Sequence, residues 1–268
     1  MHRGWGKWSP LAEELPHLPN AWGHCPAEQQ VDDRPDDYLP ELDLVLEWLQ
    51  RCGPPILDLA CGTGRLSLAL AERGYPVVGL DLNAEFIRRA REEAARRGPA
   101  VSARLRFEVA DARRFRVPER FGLVIMMDQS FKYLLTHDDH LDCLQSVREH
   151  LRDDGRFLVE HRCLLKLPDA GQGEPYTTTQ RGEEWIGLDT YDPVRQVGVS
   201  VFQPLDRPEA PPEIEPCRDF TYPELSLLHR VVGFAEDAVL HDLDERPPTT
   251  AYFDCALVLR KAEPWGRG

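Results

Sequence analysis

The sequence predicts an α/β protein with a doubly wound, mostly parallel sheet and an antiparallel β insertion after the fifth strand. Strand-like and helix-like patterns alternate between residues 40 and 160. Alternation at this length is typical of a parallel sheet with helices on both faces. Between residues 175 and 218 short β-like runs replace the alternation, which indicates an antiparallel insertion rather than a separate domain.

The elements of the predicted core follow from apolar spacing and from residues that start or stop helices. The first helix has four apolar residues at i, i+3, i+4 and i+7, followed by a glycine that ends it. These residues are Leu42, Val45, Leu46, Leu49 and Gly53. Five strands are predicted from PILDLA, PVVGLDL, LRFEVAD, FGLVIMMD and DDGRFLVE. Three more helices are predicted from RLSLALAERG, NAEFIRRAREEAARRG and THDDHLDCLQSVREHL, the last two with Asn83 and Thr136 as N-caps.

Four regions are predicted along the chain. An irregular N-terminal lid is expected at residues 1–38, because Trp5, Trp8 and Trp22 lie there in a segment without a regular pattern. The other three regions are the α/β core at 39–161, a β-rich insertion that covers the substrate at 162–218, and a C-terminal helix and strand pair at 219–268.

Composition and charge favour a protein that acts on small molecules in the cytoplasm. The chain has 268 residues and a formal net charge of −14, and such a surface repels the phosphates of nucleic acids. Seven cysteines without a CxxC pair indicate reduced thiols rather than a disulfide framework. No apolar run is long enough to span a membrane. The HDDH run starting at His137 begins a helix and has no further ligand nearby, so we expect no metal site. The oligomeric state is not predicted.

The stretch ILDLACGTGRL places an acid, Asp58, in a buried strand just before two glycines, Gly62 and Gly64. The glycines allow a ligand to approach the backbone at the carboxyl end of the strand. Ser67 stands where a dinucleotide fingerprint has its third glycine. A carboxylate beside the helix N-terminus repels a pyrophosphate, whereas it suits the ammonium and sulfonium of S-adenosylmethionine. A purely structural role for Asp58 is the alternative.

Two further acids end the next two strands. Asp81 ends the second strand, where a carboxylate can accept both hydroxyls of a ribose, and this fits NAD as well as S-adenosylmethionine. Asp111 ends the third strand, where it can bond the exocyclic amine of adenine. Three acids at three successive strand ends favour a nucleoside ligand more strongly than any one of them.

With these motifs the sequence resembles the class I S-adenosylmethionine-dependent methyltransferases, of the type that methylates small molecules at nitrogen or oxygen. The motifs are ILDLACGTGRL, VVGLDLN, VADARRF and GRFLVE, and the resemblance covers residues 40–160 and, more weakly, 219–261. It implies the Rossmann-like methyltransferase fold and S-adenosylmethionine as cofactor. The residues that it implies for cofactor binding are Asp58, Ala60, Gly62, Thr63, Gly64, Asp81, Leu82, Asp111, Ala112 and Met127.

The acceptor site is expected between the loops after strands four and five. Asp128 and Tyr133 follow strand four and are predicted catalytic residues, and Asp128 can orient or neutralise a substrate amine. His161 is expected directly after strand five and is the histidine best placed to act as a general base. Three alternatives stay open: a protein that binds the cofactor without transferring methyl, a nicotinamide-dependent oxidoreductase, and a methyltransferase of protein or RNA.

Overall fold

The helices and strands of the main domain alternate along the chain in the computed structural model, which describes residues 39–165, 171–173, 175–180, 182–241 and 252–265. The predicted N-terminal lid lies outside these residues. The helices are α1 (Leu42–Cys52), α2 (Arg65–Glu72), α3 (Ala84–Arg96), α4 (Pro99–Ser102), α5 (His137–His150) and α6 (Tyr222–Val232), with a 3₁₀ helix at Ser130–Tyr133. The strands are β1 (Ile56–Leu59), β2 (Val77–Asp81), β3 (Leu105–Val109), β4 (Phe121–Met126), β5 (Leu151–Leu164), β6 (Gly171–Gln172), β7 (Tyr176–Gln180), β8 (Glu183–Asp192), β9 (Val197–Pro204), β10 (Glu213–Arg218), β11 (Phe234–His241) and β12 (Tyr252–Lys261).

Seven strands form the main sheet in the order β11-β12-β5-β4-β1-β2-β3. Strands β1 to β5 run parallel, and β12 enters antiparallel between β5 and β11. Strands β6 to β10 form a separate antiparallel sheet. The predicted fold class, a doubly wound sheet with an antiparallel insertion after the fifth strand, is confirmed.

The core strands are apolar because both of their faces are covered. Every residue of β1 and β4 is buried, as expected for central parallel strands. The predicted N-caps of α3 and α5 are confirmed: Asn83 accepts a hydrogen bond from the backbone N–H of Glu85 at 2.9 Å, and Thr136 accepts one from that of Asp139 at 3.1 Å. The two caps set the residues at which α3 and α5 begin.

Strand β5 is longer than predicted. Its pairing with β4 ends at Val159, opposite Met126, but its pairing with β12 continues to Leu164, opposite Tyr252. Because β12 supplies a hydrogen-bonding partner beyond the end of β4, the chain stays extended through residues 160–164. The expectation that His161 follows the strand is therefore wrong, since His161 lies inside it.

The antiparallel sheet contacts the loop after β4. The hydroxyl of Tyr133, on the 3₁₀ helix, donates a hydrogen bond of 2.7 Å to Oε1 of Glu215 on β10. Among the residues that the structure describes, no helix is both long enough and apolar enough to cross a bilayer.

Candidate active site

The loop after β1 contains three residues with left-handed backbone, Ala60, Gly62 and Gly64, at φ values of 61°, 57° and 85°. A Cβ added to Gly62 would meet nothing within 4 Å, whereas one added to Gly64 would lie 2.8 Å from Cζ of Phe107. Gly64 therefore serves the packing of the loop against β3. Gly62 faces open space, where a ligand can reach the backbone.

Asp81 lies beside this loop, at the end of β2. Its Oδ2 accepts a hydrogen bond from the backbone N–H of Gly62 at 2.8 Å, and its Oδ1 accepts one from that of Asn83 at 2.8 Å. Burial raises the pKa of Asp81, and these backbone hydrogen bonds oppose the rise. The two amides fix the carboxylate in one orientation while each oxygen keeps a lone pair, and such a group can accept two further hydroxyls.

Asp58 is buried, with 4% of its surface exposed. Its Oδ2 accepts a 2.6 Å hydrogen bond from the hydroxyl of Ser67. Burial raises the pKa of Asp58 to about 6, while Ser67 and the nearby Arg65 lower it. The residue that replaces the third glycine of a dinucleotide fingerprint thus holds the acid in place. Asp58 has a structural partner and still contributes negative charge behind the glycine loop.

The carboxylate of Asp111 forms an ion pair with Arg113. Both of its oxygens accept hydrogen bonds from the guanidinium of Arg113, with distances from 2.7 to 3.1 Å, and the same guanidinium reaches Asp139 on α5 at 2.7 Å. Burial alone would raise the pKa of Asp111, but Arg113 lowers it below its ordinary value. The contact of Asp111 with adenine stays a prediction, in competition with this ion pair.

The other predicted cofactor contacts lie at the same edge of the sheet. Thr63, Leu82 and Ala112 are partly buried in the loops after β1, β2 and β3. Met127 is buried directly after β4, with 6% exposure. Their contact with a cofactor stays a prediction.

The turn after β4 is strained. Asp128 and Gln129 both have a φ of 56°, a conformation that costs residues with a side chain free energy and that clusters at active sites and switch regions. Two hydrogen bonds hold the turn: the backbone N–H of Asp128 donates to Oε2 of Glu160 at 2.8 Å, and Nε2 of Gln129 donates to Oδ1 of Asp254 at 3.1 Å. The predicted Asp128 is thereby placed beside Glu160, with its side chain exposed.

The phenol of Tyr133 keeps its proton in this setting. Burial raises its pKa well above the ordinary value, and the carboxylate of Glu215 raises it further. The neutral phenol donates to Glu215, and Lys132 lies 4.0 Å from the same carboxylate oxygen. Tyr133 therefore joins the antiparallel sheet to the loop after β4, next to the predicted acceptor site.

His161 is unsuited to the role of general base. It is 2% exposed, its ring centroid lies 5.1 Å from that of Phe131 and 5.7 Å from that of His229. Burial lowers its pKa well below the ordinary value, and the nearby His229 and His140 lower it further. Because side chains alternate along a strand, His161 shares the face of Phe157 and Val159, which packs into the core.

Glu160, the residue before it, points to the other face. Asp58 pairs with Ile125 and Ile125 with Leu158, and paired residues of a parallel sheet share a face, so Glu160 lies on the same face as Asp58. Burial raises the pKa of Glu160 to about 7. Glu160 is not among the residues predicted from the sequence, although the alternation FLVEH contains the signal that separates it from His161.

The comparisons with known proteins agree with this geometry. Residues 56–155 match the family model described as methyltransferase domain. The glycine/sarcosine N-methyltransferase of Aphanothece halophytica is 31% identical over 124 residues, which are 46% of this chain and 45% of that protein. The dTDP-3-amino-3,4,6-trideoxy-alpha-D-glucopyranose N,N-dimethyltransferase of Streptomyces venezuelae is 28% identical over 130 residues, 47% of this chain and 52% of that protein. The chain spans about half the length of the curated relatives it matches.

The fold extends over nearly the whole of a solved structure. The CcbJ methyltransferase from Streptomyces caelestis superimposes with a TM-score of 0.72 and 22% sequence identity, covering 87% of this chain and 94% of that chain. Residues 56–155 are therefore a methyltransferase domain, and the chain has the fold of the class I S-adenosylmethionine-dependent methyltransferases, which confirms the predicted resemblance. S-adenosylmethionine is the cofactor of this class.

The residues present fit that cofactor. Gly62 leaves open the space that a Cβ would enter, and Asp81 presents a carboxylate fixed by two amides at the adjoining strand end. Asp58 supplies buried negative charge behind the loop. These three residues would hold the cofactor, which supplies a methyl group on a positively charged sulfur.

Proposed function

We propose that this protein transfers the methyl group of S-adenosylmethionine to an amine nitrogen of a small molecule. The observation that carries the proposal is the position of carboxylates at the carboxyl edge of the sheet. Glu160 on β5 is surrounded by Asp128 after β4, Glu41 before α1 and Asp254 on β12, all of which act on its pKa. Such an edge attracts a protonated amine.

Glu41 and Asp254 have basic partners. Glu41 is paired with Arg65, and Asp254 accepts a 2.9 Å hydrogen bond from Nε of Arg162. Among the residues that the structure describes, no basic side chain forms an ion pair with Glu160. The local charge beside Glu160 is therefore suited to a cation supplied by the substrate.

The glycine loop, Asp81 and Asp58 give the cofactor side of the proposed reaction. The enzyme's main contribution is then alignment of the acceptor with the methyl group and exclusion of water. The antiparallel sheet, joined to the loop after β4 through Tyr133 and Glu215, supports this role because it lies beside the turn that carries Asp128.

The relatives support nitrogen as the acceptor atom. The names of both curated relatives reported above describe methylation at nitrogen, of glycine and sarcosine in one case and of an amino sugar nucleotide in the other. The net charge of −14 supports a small acceptor over a nucleic acid.

The proposal is tested by methyl transfer to a panel of amines. The protein is incubated with S-adenosylmethionine and with glycine, sarcosine or a dTDP-3-amino sugar, and each sample is analysed by mass spectrometry for a gain of one methyl group. Matched hydroxyl compounds, glycolate and a dTDP-sugar without the amine, serve as controls. We expect methylation of at least one amine and of neither control. Methylation of the hydroxyl compounds instead would contradict nitrogen as the acceptor, and cofactor binding without any transfer would favour a role in binding alone.

A further inference from the structure

We propose that Glu160 is the catalytic residue that binds the ammonium form of the acceptor and removes its proton. The inference rests on the proposed function and names the group that prepares the nitrogen for methyl transfer. It replaces His161, which lies on the buried face of the same strand.

Glu160 lies near the glycine loop. Asp58, Ile125 and Leu158 lie side by side on β1, β4 and β5. Two residues further along each of these strands, Glu160 lies level with the start of the glycine loop at the carboxyl edge of the sheet. Strands in a sheet are about 4.8 Å apart, so Glu160 lies about 10 Å to the side of the start of that loop. This is close enough for a small acceptor to touch both Glu160 and a ligand on the loop.

The two carboxylate oxygens of Glu160 differ in their hydrogen bonding. Oε2 accepts the hydrogen bond from the backbone N–H of Asp128 at 2.8 Å, which fixes the carboxylate against the strained turn. Among the residues that the structure describes, none donates a hydrogen bond to Oε1. This oxygen is also absent from the set of fully buried side-chain atoms without a partner, so it is accessible to solvent. One oxygen is therefore held and the other can meet a substrate.

The side chains near Glu160 include three other carboxylates. The elements packed against this face of β5 present Glu41 from the start of α1, Asp128 from the turn after β4 and Asp254 from β12, and all three raise its pKa. With burial added, the carboxyl group titrates at about 7. A general base works best when its pKa lies near the operating pH. An arriving ammonium ion would also relieve the repulsion among these groups.

The proposed step balances in protons and charge. An ammonium nitrogen has no lone pair, so Glu160 first takes one proton, and the products are a neutral amine and a carboxylic acid. The nitrogen then forms its bond to the methyl carbon while the bond from carbon to sulfur breaks, and the electron pair of that bond stays on sulfur. The positive charge ends on the methylated nitrogen, and Glu160 returns its proton to water.

The test uses binding of two probes, S-adenosylhomocysteine and sinefungin, measured by calorimetry. Sinefungin carries an amine on carbon where S-adenosylmethionine carries its methyl on sulfur, so it places an ammonium ion at the reacting position, whereas S-adenosylhomocysteine places no charge there. The proteins are the wild type, Glu160→Gln, and Glu236→Gln as a control that removes a carboxylate from β11. Glutamine at 160 keeps an oxygen for the N–H of Asp128, and thermal unfolding verifies the fold.

At pH 8 we expect Glu160→Gln to bind sinefungin about tenfold more weakly than the wild type, on the scale of a charge-assisted hydrogen bond. Its affinity for S-adenosylhomocysteine stays within about twofold, and Glu236→Gln changes neither affinity. At pH 5.5 the difference for sinefungin disappears, because Glu160 is then protonated in the wild type.

Two results would overturn the role of Glu160. One is the same sinefungin affinity in Glu160→Gln and in the wild type. A wild type that binds S-adenosylhomocysteine but not sinefungin counts as the same result. The other is an equal loss for both probes, which would make Glu160 a structural residue. A wild-type protein that binds neither probe would instead overturn the proposed function itself.

Discussion

Replacement of Glu160 by glutamine is expected to stabilise the protein at pH 8 and to have little effect at pH 5. Burial raises the pKa of this carboxyl group from 4.5 to about 7. Between these values the folded protein binds a proton that the unfolded chain has released, so stability falls as the pH rises. The destabilisation that results from burying the ionised carboxylate is absent below pH 4.5 and complete above pH 7. Glutamine has no charge, so the variant is not destabilised in this way.

The size of the effect follows from the two pKa values. A difference of about 2.5 corresponds to about 3 kcal/mol, since each pKa unit is about 1.4 kcal/mol. Water at the second oxygen screens part of this, which leaves about 2–3 kcal/mol at pH 8 and less than about 1 kcal/mol at pH 5. A substitution that stabilises a protein at the expense of its active site is a common trade-off.

Urea unfolding of both proteins at pH 5 and pH 8 measures this directly. The midpoint should shift upwards for Glu160→Gln at pH 8, with an unchanged dependence on urea concentration. An equal gain at both pH values would mean that packing, not charge, is responsible. A loss of stability at pH 8 would refute the argument that this carboxylate is held in a costly place.

Two further predictions concern stability. In Gly64→Ala the free energy of unfolding, measured with urea, should fall by about 2–4 kcal/mol. The φ of 85° at this position strains any residue with a Cβ, and that atom would lie 2.8 Å from Phe107. A loss below about 1 kcal/mol would show that the loop relaxes. Burial lowers the pKa of His229 and His140 to about 3, and both stay neutral in the fold while they gain protons when unfolded below pH 6.5. The wild type loses stability between pH 7 and pH 5, and in His229→Leu this loss should be smaller by about 2 kcal/mol. A loss as large as that of the wild type would contradict the burial of a neutral imidazole.

Much of the fold was predictable because its signals are local. Apolar spacing and glycine stops predict the alternating elements, and the side chains of Asn83 and Thr136 cap their helices as expected. The glycine loop is local as well, and its prediction needed no knowledge of distant residues.

The acceptor side depends on contacts between distant residues. Strand β5 extends past His161 only because β12 pairs with it from about 90 residues further along the chain. Alternation along β5 places Glu160 and His161 on opposite faces, and the register of β5 against β4 and β12 places both of them at the carboxyl edge. The guanidinium of Arg113 likewise bridges Asp111 and Asp139, which lies 26 positions further along the chain than Arg113. No local pattern in the sequence indicates this ion-pair bridge.

The measurement that tests the central claim most directly is calorimetric binding of S-adenosylhomocysteine to the wild type and to Asp81→Ala. Asp81 anchors Gly62 and presents its carboxylate where a ribose would lie. Hydrogen bonds to a charged group contribute about 1.5–3 kcal/mol, so Asp81→Ala should bind at least tenfold more weakly. Glu108→Ala, which removes a carboxylate from the neighbouring strand, should bind like the wild type. Equal affinity of Asp81→Ala and the wild type, or no binding by the wild type, would contradict the assignment of this edge of the sheet as the cofactor site.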